Sequence, residues 1–283
     1  MTAFGIVTVN WHGFDATLHL VRQVLGNDEQ DFHMVVVNNA CDEAPLFDQE
    51  PTFRDPRLRV IHSPKNVGYT GGLNLGLNAL LANPNISHFL LLNNDVEFDA
   101  GFLRQMLTAS SDPARIYAPV ILYRDSGLVQ NTGGTIHLWL GGTLNANKNV
   151  PLAAMRRKQP DFLSGCVLFM QRGVVEKLGL FDENFGSYCE DLDYCLRAKN
   201  QGVGLEVLWE VSVRHFHSLS TRGNSGYKVY LLNRNQILLA KKHFSPIKRG
   251  IFILAAVLRG SLQSLLQRQF RAYLRGVKEG LSL

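Results

Sequence analysis

Apolar residues gather in blocks along this chain. Gly5-Ile6-Val7-Thr8-Val9, His33-Met34-Val35-Val36-Val37 and Phe89-Leu90-Leu91-Leu92 are near-continuous apolar runs. Runs of that length suit strands buried on both faces, as in a parallel sheet covered by helices. Each run ends in polar residues: Asn10-Trp11-His12-Gly13, Asn38-Asn39-Ala40-Cys41-Asp42 and Asn93-Asn94-Asp95. Leu18, Val21 and Leu25 recur at helical spacing between the first two. Leu58 to His62 reads as a short third strand, and Asn66 to Leu80 as a glycine-rich turn entering a helix. This alternation predicts βαβ units. Residues 110–160 read as loop and short-strand material forming a flap. Phe162 to Met170 predicts a strand, Arg172 to Leu178 a short helix, and Leu205 to Trp209 another strand. Tyr227 opens a long helix, Pro246 resets the chain, and a second helix is predicted to run to about Val277.

The 283 residues, 46% of them hydrophobic, suffice for one large α/β domain or two small ones. Met1-Thr2-Ala3-Phe4 leads straight into a strand, so no signal peptide is expected. The longest apolar stretch, Ile251 to Leu258, is cut by Arg259 and falls short of a membrane span. Cys41, Cys166, Cys189 and Cys195 show no paired spacing, which suggests free thiols in a reducing cytoplasm. Charge changes the picture at one place. From Lys241 onward stand nine of the 29 Lys/Arg and one of the 24 Asp/Glu, a tail of +8 on a body of −3. Ile247, Ile251, Leu254, Leu258, Leu262 and Leu265 make one apolar stripe, with Arg268, Arg271, Arg275 and Lys278 on another face. A basic amphipathic helix fits an anionic bilayer, and an apolar stripe equally fits packing on the body or on a second subunit.

Three places carry candidate chemistry. Asp95, at the end of a buried strand, is placed either in a plain polar turn or where open α/β sheets bind ligands; a carboxylate there suits Mg2+ or Mn2+. The glycines after Asn66 either let backbone approach a phosphate at a helix N-terminus or pack helix on sheet. Glu190-Asp191-x-Asp193 sits at a helix start, either as a dipole cap or as a cluster whose mutual repulsion makes a base. His215 and His217 follow a strand with side chains on one face, and a neutral imidazole there can ligate metal.

In series these residues resemble the family 2 glycosyltransferases of the GT-A fold, close to bacterial rhamnosyltransferase-like members, over about residues 4–243. The resembling motifs are Val9-Asn10-Trp11, Asn66-x-Gly68-x-x-Gly71-Gly72-x-Asn74-x-Gly76, Leu92-Asn93-Asn94-Asp95-Val96, Phe181-Asp182-Glu183 with Glu190-Asp191-x-Asp193, His215, and Arg234-Asn235. The resemblance implies a Rossmann-like, mostly parallel sheet flanked by helices, with a nucleotide half at about 1–110, an acceptor half at about 111–243 and a helical tail at 244–283. It implies inverting transfer of a sugar, rhamnose favoured, from a dTDP- or UDP-linked donor to a saccharide or lipid-linked acceptor in bacterial cell-surface polysaccharide synthesis. Asp95 and His215, or less readily His217, would hold Mg2+ or Mn2+. Asp191 would be the general base, with Glu190 and Asp193 orienting it. Asn10, Asn38, Asn66, Gly68, Gly71, Gly72, Asn74, Asn93 and Asn94 would line the donor side.

Asn38 and Asn93 stand where many members of that family carry aspartate, which puts base preference in doubt, since an amide both donates and accepts. The rival readings are another donor (galactofuranose or N-acetylhexosamine) and a catalytically silent sugar-nucleotide-binding or scaffold protein. An acidic body without a nucleic-acid motif excludes nucleic acid as a partner. A cytoplasmic enzyme, peripheral on the inner face of the membrane, is the expected setting.

Overall fold

The chain opens with β1 (Ala3–Asn10), α1 (Phe14–Leu25) and β2 (Phe32–Asn38), the βαβ unit that the apolar runs predict. The computed structural model describes residues 3–216, 225–266 and 268–283. Next come α2 (Ala44–Gln49), β3 (Leu58–His62), α3 (Gly68–Leu81), β4 (Ile86–Asn93) and the two-residue β5 (Val96–Glu97). Then follow α4 (Phe102–Ala109), β6 (Arg115–Tyr123), β7 (Val129–Asn131), and a hairpin of β8 (Gly134–His137) with β9 (Gly142–Asn145). The rest is β10 (Val167–Gln171), α5 (Arg172–Leu178), α6 (Glu190–Asn200), β11 (Gly204–His215), α7 (Ser225–His243), α8 (Pro246–Leu266) and α9 (Phe270–Ser282).

Among the described residues the main sheet runs β3-β2-β1-β4-β10-β6-β11-β5, with β7 beside β6. The strands β1 to β4 pair in parallel, whereas β10 is antiparallel to both its neighbours. Alternate residues of each inner strand enter different apolar clusters. Val7, Val35 and Leu91 pack with α3 on one face; Ile6, Val36 and Leu90 pack with α1 on the other. Both faces are therefore covered, which is why the sequence shows continuous apolar runs. The result is an α/β sheet flanked by helices with a helical C-terminal region.

Three elements depart from the sequence reading. β6 is a buried central strand inside the region read as a flap. Its Pro119 lacks an N–H and so argues against a central strand. The structure accommodates it at an irregularity in β11, where the register jumps between Leu208 and Ser212 opposite Pro119 and Val120. The strand expected from Phe162 to Met170 begins only at Val167. The preceding Gly165 and Cys166 instead form a turn that, with Ser164, reaches the cleft described below. The last predicted helix is two, α8 and α9, parted at Arg268 with φ +55°. By length and composition α8 is apolar enough to cross a membrane, which the interruption at Arg259 had led us not to expect.

The tail is seated on the rest of the chain by small residues. Gly276 lies against the Tyr230 backbone and Gly280 against that of Arg234, so α9 sits directly on α7. In α3, a Cβ on Gly76 would overlap Val7 on β1, and one on Gly72 would meet Val9 at 2.7 Å. The glycine run thus brings helix close to sheet. Gly76→Ala should destabilise the protein by about 1–3 kcal/mol, because β1 cannot retreat from a packed core. Gly250→Ala, on open surface in α8, should leave stability unchanged or raise it by up to about 1 kcal/mol. Chemical denaturation of both variants checks this, and equal effects would reject the packing role.

Candidate active site

A cleft of about 460 Å³ opens at the carboxyl ends of β1, β4 and β11. Asp95 follows β4, and the β5–β11 pairing carries His215 to it, with Phe216 N donating to Asp95 O at 3.1 Å. Asp95 Oδ1 lies 3.1 Å from His215 Nε2, and both side chains are nearly buried. The other ring nitrogen, Nδ1, is 2.8 Å from Gln130 Oε1, which fixes the imidazole plane. Burial disfavours charge on His215, but the Cys166 sulfur and the Asp95 carboxylate outweigh it and push its pKa up to about 11. An oxygen and an imidazole nitrogen at this spacing would suit Mg2+ or Mn2+ with the cation in place of the proton that Nε2 otherwise shares with Asp95. Among the described residues no third His, Cys, Asp or Glu completes a closed metal cage. Two protein ligands fit a cation that takes its remaining oxygens from phosphate and water. His217 lies outside the described residues.

Glu190 and Asp191 line the same cleft from the first turn of α6. They arrive there through a tight turn in which Tyr188 and Cys189 take φ of +68° and +65°. Left-handed backbone at two non-glycine residues is strained and persists only where surroundings enforce it. Asn235, fully buried on α7, does so. Its Nδ2 donates to the carbonyls of Phe185, Ser187 and Tyr188, each at 2.8 Å.

The two acids are not equivalent. Burial raises the pKa of both. Asp191 accepts hydrogen bonds from Gly165 N at 2.9 Å and Leu192 N at 2.8 Å, which favour its carboxylate. Glu190 Oε2 has no partner, and burial beside Asp191 raises its pKa to about 8. One negative charge shared by this pair therefore settles on Asp191, with Glu190 protonated. Tyr69, raised well above its ordinary pKa chiefly by burial, keeps its proton and links the two walls. Its hydroxyl donates to Asn93 Oδ1 at 2.8 Å and to Gly165 O at 3.3 Å.

Several residues expected here lie elsewhere. Asp193 is fully buried but sits about 200° around the helix from Asp191. Its oxygens meet His243 at 2.7 Å, Lys242 at 2.8 Å and Arg197 at 3.0 Å, so it ties α6 to α7 rather than orienting Asp191. Asn74 braces Phe181 N and O and Glu183, away from the cleft. Asn10 is fully engaged by Asn38, Glu43, Gly13 N and Thr17. Asn38 is engaged by Asn10, Ala40 and His62. Neither amide reaches the cleft; Trp11 and Asn39, each one residue further on, do. Asn39 is buried, and its Oδ1 has no partner. Gly71 and Gly72 serve helix packing. Of that motif Asn66 and Gly68 line the cleft, and Gly68 (φ +76°) packs against Gly186 where a Cβ would not fit. The α3 N-terminus offers little to a phosphate, because Gly68 N is taken by Asn66 Oδ1 and Thr70 N by Gly186 O. Asn93 and Asn94 line the cleft as expected, with Asn94 Nδ2 donating to Thr17 Oγ1 at 3.0 Å.

The raised pKa of Glu190 has a sign that can be tested. Between its ordinary value of 4.5 and about 8 the folded chain binds more protons than the unfolded one, so stability falls as pH rises through that window. Glu190→Gln removes the titration. Its melting temperature, measured across the same window, should fall less steeply than that of the unaltered protein; parallel slopes would reject the assignment.

Comparison with known proteins gives the family and the fold. The model for "Glycosyl transferase family 2" matches residues 6–179. The low-salt glycan biosynthesis hexosyltransferase Agl10 of Haloferax volcanii is 27% identical over 242 residues, covering 85% of this chain and 76% of that protein. GalNAc-T7, solved with UDP, GalNAc and Mn2+, superposes with a TM-score of 0.66 at 15% identity, covering 85% of this chain but only 48% of its own. The mannosyltransferase PcManGT from Pyrobaculum calidifontis, solved with GDP-Man and Mn2+, gives 0.62 at 11% identity over 99% and 86%. S. aureus TarS residues 1–349 with UDP-GlcNAc gives 0.57 at 13% identity over 98% and 82%. The fold is of the GT-A type, and with more than half its length matched by the family model the chain belongs to glycosyl transferase family 2.

Proposed function

We propose that this glycosyltransferase moves a hexose from a nucleoside diphosphate sugar to an acceptor hydroxyl, with inversion and with Mg2+ or Mn2+ as cofactor, in building a cell-surface glycan. The observation that carries the reading is one cleft lined by the paired Asp95 and His215 and by the backbone-held Asp191. Rhamnose was the donor favoured by sequence resemblance. The relatives compared above are a hexosyltransferase, a mannosyltransferase and proteins solved with GalNAc or UDP-GlcNAc, so the donor is assigned here only as a hexose.

The mechanism follows from the residues. Asp191 accepts the proton of the acceptor hydroxyl. That oxygen attacks the anomeric carbon from the face opposite the diphosphate, and the glycosidic bond breaks with its electron pair leaving on phosphate. Asp95 and His215 would hold the divalent cation, whose chemistry there is to neutralise charge on the leaving diphosphate. Protonated Glu190 adds no second charge beside Asp191, so the base is not forced to share its field with another carboxylate. Asn235 acts as a positioning residue through the turn that presents both acids. The C-terminal helices, basic and apolar outward, support association with an anionic membrane and a lipid-linked acceptor.

Asp191→Asn should lower transfer by about 10²–10⁴-fold while leaving UDP binding intact; near-normal turnover would refute the base. Asp95→Ala should abolish the Mn2+-dependent part of UDP binding in calorimetry. An unchanged Mn2+ titration would remove Asp95 from the cation site.

A further inference from the structure

α8 presents two unlike faces. Phe252, Ala256, Gly260 and Ser264, four residues apart, are buried. On the opposite side Leu254, Leu258, Leu262 and Leu265 are 59–64% exposed, and Ile247 and Leu266 are 79% exposed. A folded surface seldom leaves so long an apolar row in water without an interaction to make. Because its inner face is docked, α8 lies along the body.

A second element joins this row. The turn Leu138–Leu140 between β8 and β9 carries Trp139, 79% exposed, and Leu140, 46% exposed. Gly141 fits against the Ala256 backbone where no Cβ could, and Arg259 donates to Gly141 O at 2.8 Å. Leu138 packs on the small cluster of Phe252 and Ala256. The hairpin tip is therefore fastened to α8 within a turn of Leu254 and Leu258. Arg271, Arg275 and Lys278 on α9 are exposed nearby in the chain. The tail's acid, Glu279, is already engaged by Arg234 at 2.7 Å and Tyr230 at 2.6 Å.

We propose that the β8–β9 tip and the outer face of α8 form one docking surface for an anionic phospholipid bilayer, with Trp139 at headgroup depth and α8 in the membrane plane. This extends the membrane association proposed above by making the acceptor half, through its hairpin, part of the contact. A bilayer fits better than a second copy of the chain. The helix that carries the row holds Lys248, Arg249 and Arg259 and no acid, so two copies would repel where anionic headgroups attract. Trp is also the side chain suited to an apolar–polar boundary. The hairpin then sets a distance. Asn145 and Lys148, at its root, line the cleft, and four strand residues span about 13 Å. The cleft rim then stands at most that far above the headgroups, a reach that suits an acceptor sugar joined to its lipid through a phosphate linker.

The test uses the full chain and vesicles of phosphatidylcholine and phosphatidylglycerol, part of them bromine-labelled in the acyl chains. Brominated lipid should quench the tryptophan emission of the unaltered protein. Trp139→Phe should still co-sediment with the vesicles but lose most of the quenching. Trp139→Glu should weaken partitioning on the order of tenfold, with Mn2+-dependent UDP binding in solution unchanged. Quenching that survives Trp139→Phe, or partitioning that ignores Trp139→Glu, overturns the proposal. So does a dimer that Trp139→Glu dissociates while the unaltered protein shows no affinity for vesicles. Binding of UDP with Mn2+ reads the proposed catalytic function separately, so failure of either is recognisable by itself.

Discussion

Placing three acidic side chains on the walls of one cleft is electrostatically unfavourable if all ionise, and the architecture around the cleft is arranged to contain that charge. Each acid is contained differently. Asp95 faces an imidazole that Gln130 holds in plane. Asp191 draws on two backbone N–H groups, one from the turn before β10 and one from its own helix. Glu190 has no partner at Oε2, and burial beside Asp191 raises its pKa to about 8. The antiparallel placement of β10 beside β4 matters here, because it brings the Gly165 turn between the two walls, where Gly165 N meets Asp191 and its carbonyl meets Tyr69. A further acid, Asp193, is turned out of the cleft altogether, where Arg197 and Lys242 neutralise it and His243 hydrogen-bonds it, burial notwithstanding.

The parts of this arrangement legible in the sequence are those where one strand or helix end places one side chain. Asp95 at the end of an apolar run and Glu190-Asp191 at a helix start are of this kind, and the parallel first half of the sheet follows from uninterrupted apolar strands. What was not legible depends on which face a residue takes when its strand ends. Asn38 and Asn39 differ by one position, and successive side chains point opposite ways. Asn38 turns into the network with Asn10, and Asn39 turns toward the cleft. Helical rotation could have separated Asp193 from Asp191, but not revealed that His243 and Lys242, far along the chain, would meet it. β6 was hidden by Pro119, whose tolerance depends on an irregularity in another strand.

The role of Asn235 belongs to the same class. Its pairing with Arg234 was a recognisable mark of resemblance without a mechanism. Its three carbonyl acceptors lie in a turn nearly fifty residues earlier, with φ values no sequence pattern announces. A strained turn is thereby maintained from a distance, by a helix whose own placement depends on what packs behind it.

That dependence reaches the end of the chain. Gly276 and Gly280 allow α9 to rest on the backbone of α7, the helix that carries Asn235. A bulkier residue at either glycine would wedge the helices apart and loosen the grip on the turn that presents Asp191. The packing of this tail is thus coupled to the cleft as well as to the tail's own surroundings. Two glycines remote from the cleft thereby bear on how Asp191 is held.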